Sequence, residues 1–223
     1  MGDPVIRPCV VIPGYNIART LGSLLMQLRE LPVDVVVVDD GSTDRTSEIA
    51  KVSGVAVVAH ETNLGKGRSL RDGLAWGLAR GHDAFILMDG DGQHLPSELP
   101  KFLEALAQDG VGVVVGNRMD DVLAMPKIRH VTNAILSRWV SQWCRQSVPD
   151  SQCGYRAVRR AVLERITLTT DRYEIESELL IKAARAGFRI ASVPITTVYR
   201  DERSRIHPIA DTLRFFRFLR TLN

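Results

Sequence analysis

Short, nearly continuous apolar runs recur through the first 118 positions, and each of the first four is followed by a stretch with helical spacing. The runs are "CVVIP" (9–13), "VDVVVVDD" (33–40), "GVAVVAH" (54–60), "AFILMD" (84–89) and "VGVVVGNR" (111–118). A strand that is apolar on both sides needs cover on both sides, the condition of a parallel sheet wrapped by helices. Between the runs, Leu21, Leu24, Leu25, Leu28 and Leu31 form a one-sided stripe that predicts a helix over 18–31, ended by Pro32. Further helices are expected from about Arg45, with Thr43 or Asp44 as N-cap, from "NLGKG" (63–67) through Trp76 to Gly81, and near 97–108. The fold class that follows is α/β, a doubly wound and mostly parallel sheet with helices on both faces.

Beyond 120 the pattern loosens. "DDVLAMPKIRH" reads as a loop, 130–146 and 174–187 as helices, and "DSQCGYRAV" (150–158) as strand-like. "RIASVPITTVY" (189–199) reads as an edge strand broken by Pro194. No linker or repeat divides the chain. The expectation is one domain, 1–223, with a ligand-binding half (1–118), a less regular half (119–205) and an amphipathic tail (206–223).

Composition excludes several classes. At 45% apolar and 25% charged, the 223 residues resemble an ordinary soluble globule. A net charge of +3 does not argue for nucleic acid. Cys9, Cys144 and Cys153 are odd in number and lack metal-site spacing, which suits free thiols in a reducing compartment. No run approaches the roughly 18 apolar residues that span a bilayer. "MGDPVIRPCVV" lacks the order of a signal peptide, and Ile6 stands where a myristoylation motif needs Ser or Thr. A cytoplasmic protein is expected.

Sheets of this kind bind ligands beyond the carboxyl ends of their strands, and the chemically loaded residues sit at those ends. Tyr15 and Asn16 follow the first run, Asp39 and Asp40 close the second, Asp89 and Asp91 follow the fourth, and Arg118 closes the fifth. Two carboxylates flanking one glycine in "ILMDGDGQH" either form a polar turn or await a cation. A hard divalent ion takes oxygen ligands and completes its shell with phosphate and water, and Gln93 adds a neutral oxygen. Asp39 and Asp40 either shape a turn or accept from a base N–H or a ribose hydroxyl. "NLGKG" is not a Walker loop, but its backbone N–H groups and Lys66 suit an anionic ligand as well as a plain turn does. Arg118 can pair bidentately with phosphate.

"VVIPGYN", "VVVVDDGSTD", "NLGKG", "ILMDGDGQH", "GNR" and "DSQCGYRAV", in this order and through "YEIESELLIKAARAGFRIASVPI", closely resemble family 2 glycosyltransferases with the GT-A nucleotide-sugar-binding fold. Within that family the set is most similar to the dolichol-phosphate mannosyltransferase branch and its bacterial polyprenyl-phosphate relatives. The resemblance implies inverting transfer of a hexose from a nucleoside-diphosphate sugar, with Mg²⁺ or Mn²⁺ as cofactor. It implies that Pro13, Tyr15, Asn16, Asp39, Asp40, Lys66 and Asp89 surround the nucleotide. Asp89, Asp91 and Gln93 would hold the metal, with Asp91 and Arg118 in the catalytic set and Arg118 facing phosphate or acceptor. Ser204 and Arg205 in "RDERSRIHP" resemble the branch's Ser-Lys element near the acceptor, with Arg in place of Lys. The family usually carries an acidic residue after "YN", where this chain has Ile17. The chain also lacks the Q-x-x-R-W signature of processive synthases.

A lipid-phosphate acceptor arrives ionised, whereas a sugar hydroxyl needs a base, for which Asp150, Glu176 and Glu178 are the candidates. Leu213, Phe215, Phe216, Phe218, Leu219 and Leu222 form an apolar arc with Arg214, Arg217 and Arg220 opposite. That tail suits either an anionic membrane surface or packing on protein, a homodimer included. Two rivals to a lipid-directed enzyme stand at this point: a soluble transferase acting on a sugar or glycan, and a nucleotide-sugar-binding module without catalysis. A nucleotidyltransferase fits poorly, because "PGYNIART" is not a glycine-rich basic loop.

Overall fold

The computed structural model describes residues 6–119 and 127–196. Ser204, Arg205 and the amphipathic tail lie outside the described residues, as does most of the loop expected near 120.

The described elements are β1 (Pro8–Gly14), α1 (Ala18–Leu28), β2 (Asp34–Asp39), α2 (Thr46–Val52), β3 (Ala56–Ala59), α3 (Lys66–Ala79), β4 (Ala84–Leu87), a 3₁₀ turn (Pro96–Glu98), α4 (Leu99–Ala107), β5 (Val111–Asn117), α5 (Lys127–Cys144), β6 (Arg156–Arg159), α6 (Arg160–Arg165), α7 (Ile175–Arg185) and β7 (Arg189–Pro194). They build one seven-stranded sheet in the order β3-β2-β1-β4-β6-β5-β7. All pairings are parallel except those of β6, which runs antiparallel to both β4 and β5. The expectation of a mostly parallel sheet is met, and β7 is the expected edge strand. The short α6 carries too few residues for its periodicity to show.

Parallel pairing explains the continuous apolar runs. Val10, Val11, Ile12, Val36, Val37, Val38, Phe85 and Ile86 are all fully buried. Each such side chain contributes about 1.5–3 kcal/mol by leaving water. Strand order runs outward from β1 to β3 and then returns to place β4 on β1's other side. Right-handed crossovers therefore put α1 and α2 on one face and α3 on the other. The order reverses between β1 and β4, and that switch point is where such a sheet opens a crevice at its carboxyl edge. β6 and β7 come from the second half of the chain, so both halves complete one sheet.

Candidate active site

The carboxyl ends of β2, β1 and β4 are neighbours at this crevice. Gly14 of β1 is in register with Asp39 of β2, and Val11 with Leu87 of β4. The ends of β2 and β4 are two strand spacings apart, roughly 10 Å, the scale of a nucleoside diphosphate. Pro13 and Tyr15 lie at the central strand's exit, with Tyr15 exposed.

Asn16 sits in the left-handed region (φ 52°), and its Oδ1 accepts from the backbone of Thr43 at 2.8 Å and of Asp44 at 3.3 Å. Asp44 in turn accepts from the first N–H of α1 (Ala18, 3.1 Å) and of α2 (Thr46, 3.0 Å). Asn16 therefore stitches the β1 exit to the β2 exit, and its carbonyl oxygen is spent on the protein rather than on a nucleotide.

The adjacent aspartates separate in role. Asp39 is 5% exposed, and its Oδ1 accepts from the Ser42 N–H at 3.1 Å, which tightens the β2 exit. Asp40 points inward and is 3% exposed; its oxygens accept from the Leu64 and Gly65 N–H groups at 2.8 and 2.9 Å, and Oδ1 lies 2.7 Å from His60 Nδ1. Asp40 is thus buried and held by the fold on both oxygens, which argues against its assignment to the nucleotide. The same bonds favour the plain-turn reading for the Leu64 and Gly65 N–H groups of "NLGKG". Two of its N–H groups face Asp40, and just beyond it the Arg68 N–H donates to the Asp171 carbonyl at 3.1 Å. The glycines of this turn serve close packing instead: a Cβ on Gly67 would stand 2.6 Å from the Asp171 carbonyl carbon and from the Thr170 oxygen.

Beyond β4 the chain turns through Asp89-Gly90-Asp91. Asp91 Oδ1 accepts from the Gln93 N–H at 2.9 Å, and the Gly90 carbonyl accepts from Thr20 Oγ1 at 2.6 Å, so the turn is pinned from within and from α1. Ile17 packs directly beneath it: a Cβ on Gly90 would meet Ile17 Cδ1 at 2.3 Å and Ile12 Cγ2 at 3.2 Å. The residue that replaces the family's usual acid is thus an apolar plug under the carboxylate turn. Gly90→Ala is expected to cost about 1–3 kcal/mol by overpacking. In an Ile17→Val background, which removes Cδ1, urea denaturation should show that cost reduced by about 1 kcal/mol. Equal costs in both backgrounds would show that Ile17 does not set the fit.

The two carboxylates are not alike. Lys66 Nζ lies 2.6 Å from Asp89 Oδ1 and 2.6 Å from Glu176 Oε1. Burial by itself would raise Asp89, but the Lys66 ammonium and His94 outweigh it and hold the carboxyl well below the usual range. Burial likewise opposes the charge on Lys66, and Asp89 and Glu176 outweigh it, so the amine stays protonated. Asp91 moves the other way, raised by burial and then by the charge of Asp89. Sequence alone suggested two unmatched carboxylates; the fold matches one of them and leaves Asp91 with surplus negative charge. His94 is buried against Tyr155, its Nε2 3.9 Å from Asp89 Oδ2, and its Nδ1 has no hydrogen-bond partner among the described residues.

This donor set fits a hard divalent ion. Among the described residues no three His, Cys, Asp or Glu side chains converge as a closed metal cage. Two carboxylates by themselves leave coordination positions for water and phosphate, the habit of Mg²⁺ and Mn²⁺ rather than of structural zinc. A surface cleft of about 610 Å³ lined by Trp143, Arg145 and Arg185 includes none of these residues, and the chemistry points to the rim instead.

Residues 9–167 match the model of glycosyl transferase family 2. The chain belongs to that family. It is 33% identical over 209 residues to the undecaprenyl-phosphate mannosyltransferase of Micrococcus luteus, covering 88% of this chain and 85% of the relative. It is 31% identical over 224 residues to the UDP-N-acetylglucosamine–dolichyl-phosphate N-acetylglucosaminyltransferase of Methanococcus voltae, covering 90% and 88%. Among solved structures, glucosyl-3-phosphoglycerate synthase from Mycobacterium tuberculosis with Mg²⁺ and UDP aligns with a TM-score of 0.73 at 25% identity, over 96% of this chain and 76% of the other. The protein is a glycosyltransferase with the GT-A fold.

In the second half of this family 2 glycosyltransferase, the expectations for four residues change. Arg118 is 5% exposed and directs its fork at Asp150, Nε to Oδ2 at 2.7 Å and Nη2 to Oδ1 at 2.9 Å. Asp150 is fully buried and also accepts the Arg118 N–H at 3.2 Å. The pair joins the β5 exit to the segment before β6. Asp150 is therefore not placed to take a proton from an acceptor, and the Arg118 fork is turned inward rather than toward a phosphate. Glu178 is also fully buried and accepts from the backbone and hydroxyls of Thr169 and Thr170 and from Lys182. Glu176, considered only as a base, is instead the counter-ion of Lys66, a partnership across 110 positions that no sequence pattern signals.

Proposed function

We propose that this glycosyltransferase moves a hexose from a nucleoside-diphosphate sugar to a polyprenyl phosphate in one inverting displacement, with Mg²⁺ or Mn²⁺ held by Asp89, Asp91 and Gln93. An oxygen of the acceptor phosphate forms the bond to the anomeric carbon as the bond to the nucleoside diphosphate breaks. The bound ion would supply Lewis-acid stabilisation of the charge that builds on that leaving group. Pro13, Tyr15 and Asp39 would hold the nucleoside, Asp39 by accepting from a base N–H or ribose hydroxyl. Lys66 offers an ammonium beside the diphosphate.

One observation carries the choice of acceptor. The three carboxylates that a sugar hydroxyl would call on are engaged: Asp150 by Arg118, Glu176 by Lys66, and Glu178 by Thr169, Thr170 and Lys182. A phosphate oxygen needs no such base, because it is already ionised at neutral pH. The lipid acceptors in the relatives' names support the same choice. So does an exposed apolar stripe on α5, where Ile128, Val131, Ile135 and Trp139 are between 43% and 84% exposed. No helix among the described residues is long and apolar enough to cross a membrane.

The structural neighbour favours a second reading, a soluble transferase with a small phosphorylated acceptor. Radiolabelled UDP- and GDP-sugars incubated with detergent-dispersed undecaprenyl phosphate and Mn²⁺ separate the two. Label is expected in the organic phase. Label transferred only to water-soluble acceptors, with none extracted into solvent, would overturn the lipid reading.

A further inference from the structure

Resting on the proposed metal and diphosphate site, we infer that Lys66 is a resident counter-ion that makes divalent-cation binding at Asp89 depend on the nucleoside diphosphate. The ammonium lies 2.6 Å from Asp89 Oδ1, within the space a coordinating ion would need. An ion bound to that oxygen would stand a few ångströms from a fixed positive charge, and like charges so close repel strongly in a partly buried site. The metal and Lys66 therefore compete for Asp89.

The surroundings provide a second seat for the ammonium. Glu176 Oε1 is also 2.6 Å from Nζ, so Lys66 can give up Asp89 and keep one carboxylate. Glu176 is held in place: Arg156, fully buried, donates to the Glu176 carbonyl and to those of Ser151 and Cys153, and its Nη2 lies 3.8 Å from Glu176 Oε2. The Tyr173 ring centroid lies 6.0 Å from Nζ and adds a weak attraction on that side. The root of the lysine does not move with it, because Asp40 and the Asp171 carbonyl fix the backbone on either side. An incoming diphosphate brings the negative charge that both cations need. Its arrival satisfies the displaced ammonium and the ion together, and by linkage each ligand then raises the affinity of the other.

The test measures Mn²⁺ binding by the decrease of the free-ion EPR signal, with no nucleotide, with UDP and with GDP. Wild-type protein is expected to bind Mn²⁺ weakly alone and much more tightly with one of the nucleotides. Lys66→Met removes the competitor, so Mn²⁺ alone should bind about tenfold tighter or more, and the gain from nucleotide should shrink. Glu176→Gln removes the second seat, leaves the ammonium to Asp89, and should weaken binding of Mn²⁺ alone. Loss of structure would weaken binding in both variants, so opposite shifts separate the proposal from damage to the fold. Unchanged or weaker binding of Mn²⁺ alone by Lys66→Met, with nucleotide-supported binding intact, would overturn this inference only. No Mn²⁺ binding by wild-type protein even with nucleotide would overturn both it and the reading of the site.

Discussion

Asp91→Asn is expected to lower sugar transfer by a factor on the order of 10³ while leaving the fold at least as stable. Asparagine keeps an oxygen to accept from the Gln93 N–H, so the turn after β4 survives. It removes the charge that would help hold the ion against the leaving diphosphate. The stability half of the expectation follows from the direction of the Asp91 shift. Burial first, and then the charge of Asp89, raise its pKa, so the fold disfavours the ionised form. A carboxyl raised in this way favours folding while protonated and loses that contribution as pH rises through its folded pKa. At neutral pH the charge is therefore a burden on the fold, and its removal relieves repulsion with Asp89. Initial rates with saturating Mn²⁺, set beside urea midpoints, check both halves. A variant that lost activity and stability together would mark Asp91 as structural.

Asp150→Ala should do the reverse and destabilise the protein by about 3–5 kcal/mol. With Asp150 gone, Arg118 keeps its charge in a place where it is only 5% exposed and has lost a bidentate partner. For a chain of this size the loss corresponds to a fall in Tm of about 6–20 °C. Thermal and urea unfolding measure it directly. Were Asp150 a general base, its removal would instead leave the unfolding midpoint in place and abolish transfer. The two aspartates thus form a pair of opposites, one disfavoured as an anion by its surroundings, the other bound into the fold.

Much of the sheet's carboxyl edge was legible because strand ends are legible. Apolar runs that stop at Asp39, Asp89 and Arg118 announce both the strands and the edge where they end. The errors share one physical cause, since the sequence states which groups are charged and not what faces them. Asp39 and Asp40 are adjacent, and successive side chains at the end of a strand point to opposite sides. That alternation implied that only one of them could face the crevice, but not which one. Asn16, Asp40, Arg118 and Asp150 all carry ligand-binding chemistry, and each is spent on a partner at least 20 positions away. Lys66 was recognisable as a cation near the ligand, while its ties to Asp89 and to Glu176 were not.

By itself, the sequence determined the alternating α/β pattern, the exits of the central strands and the carboxylate turn after β4. These depend on local periodicity and on residues close together along the chain, which is all that spacing can encode. Only the tertiary structure decided the insertion of the antiparallel β6 between β4 and β5, the burial of the Arg118–Asp150 pair and the meeting of α3 and α7 at Lys66 and Glu176. Each of these depends on the charge and packing of groups that are distant in the chain, and a charge has a defined role only once the fold has fixed its neighbours.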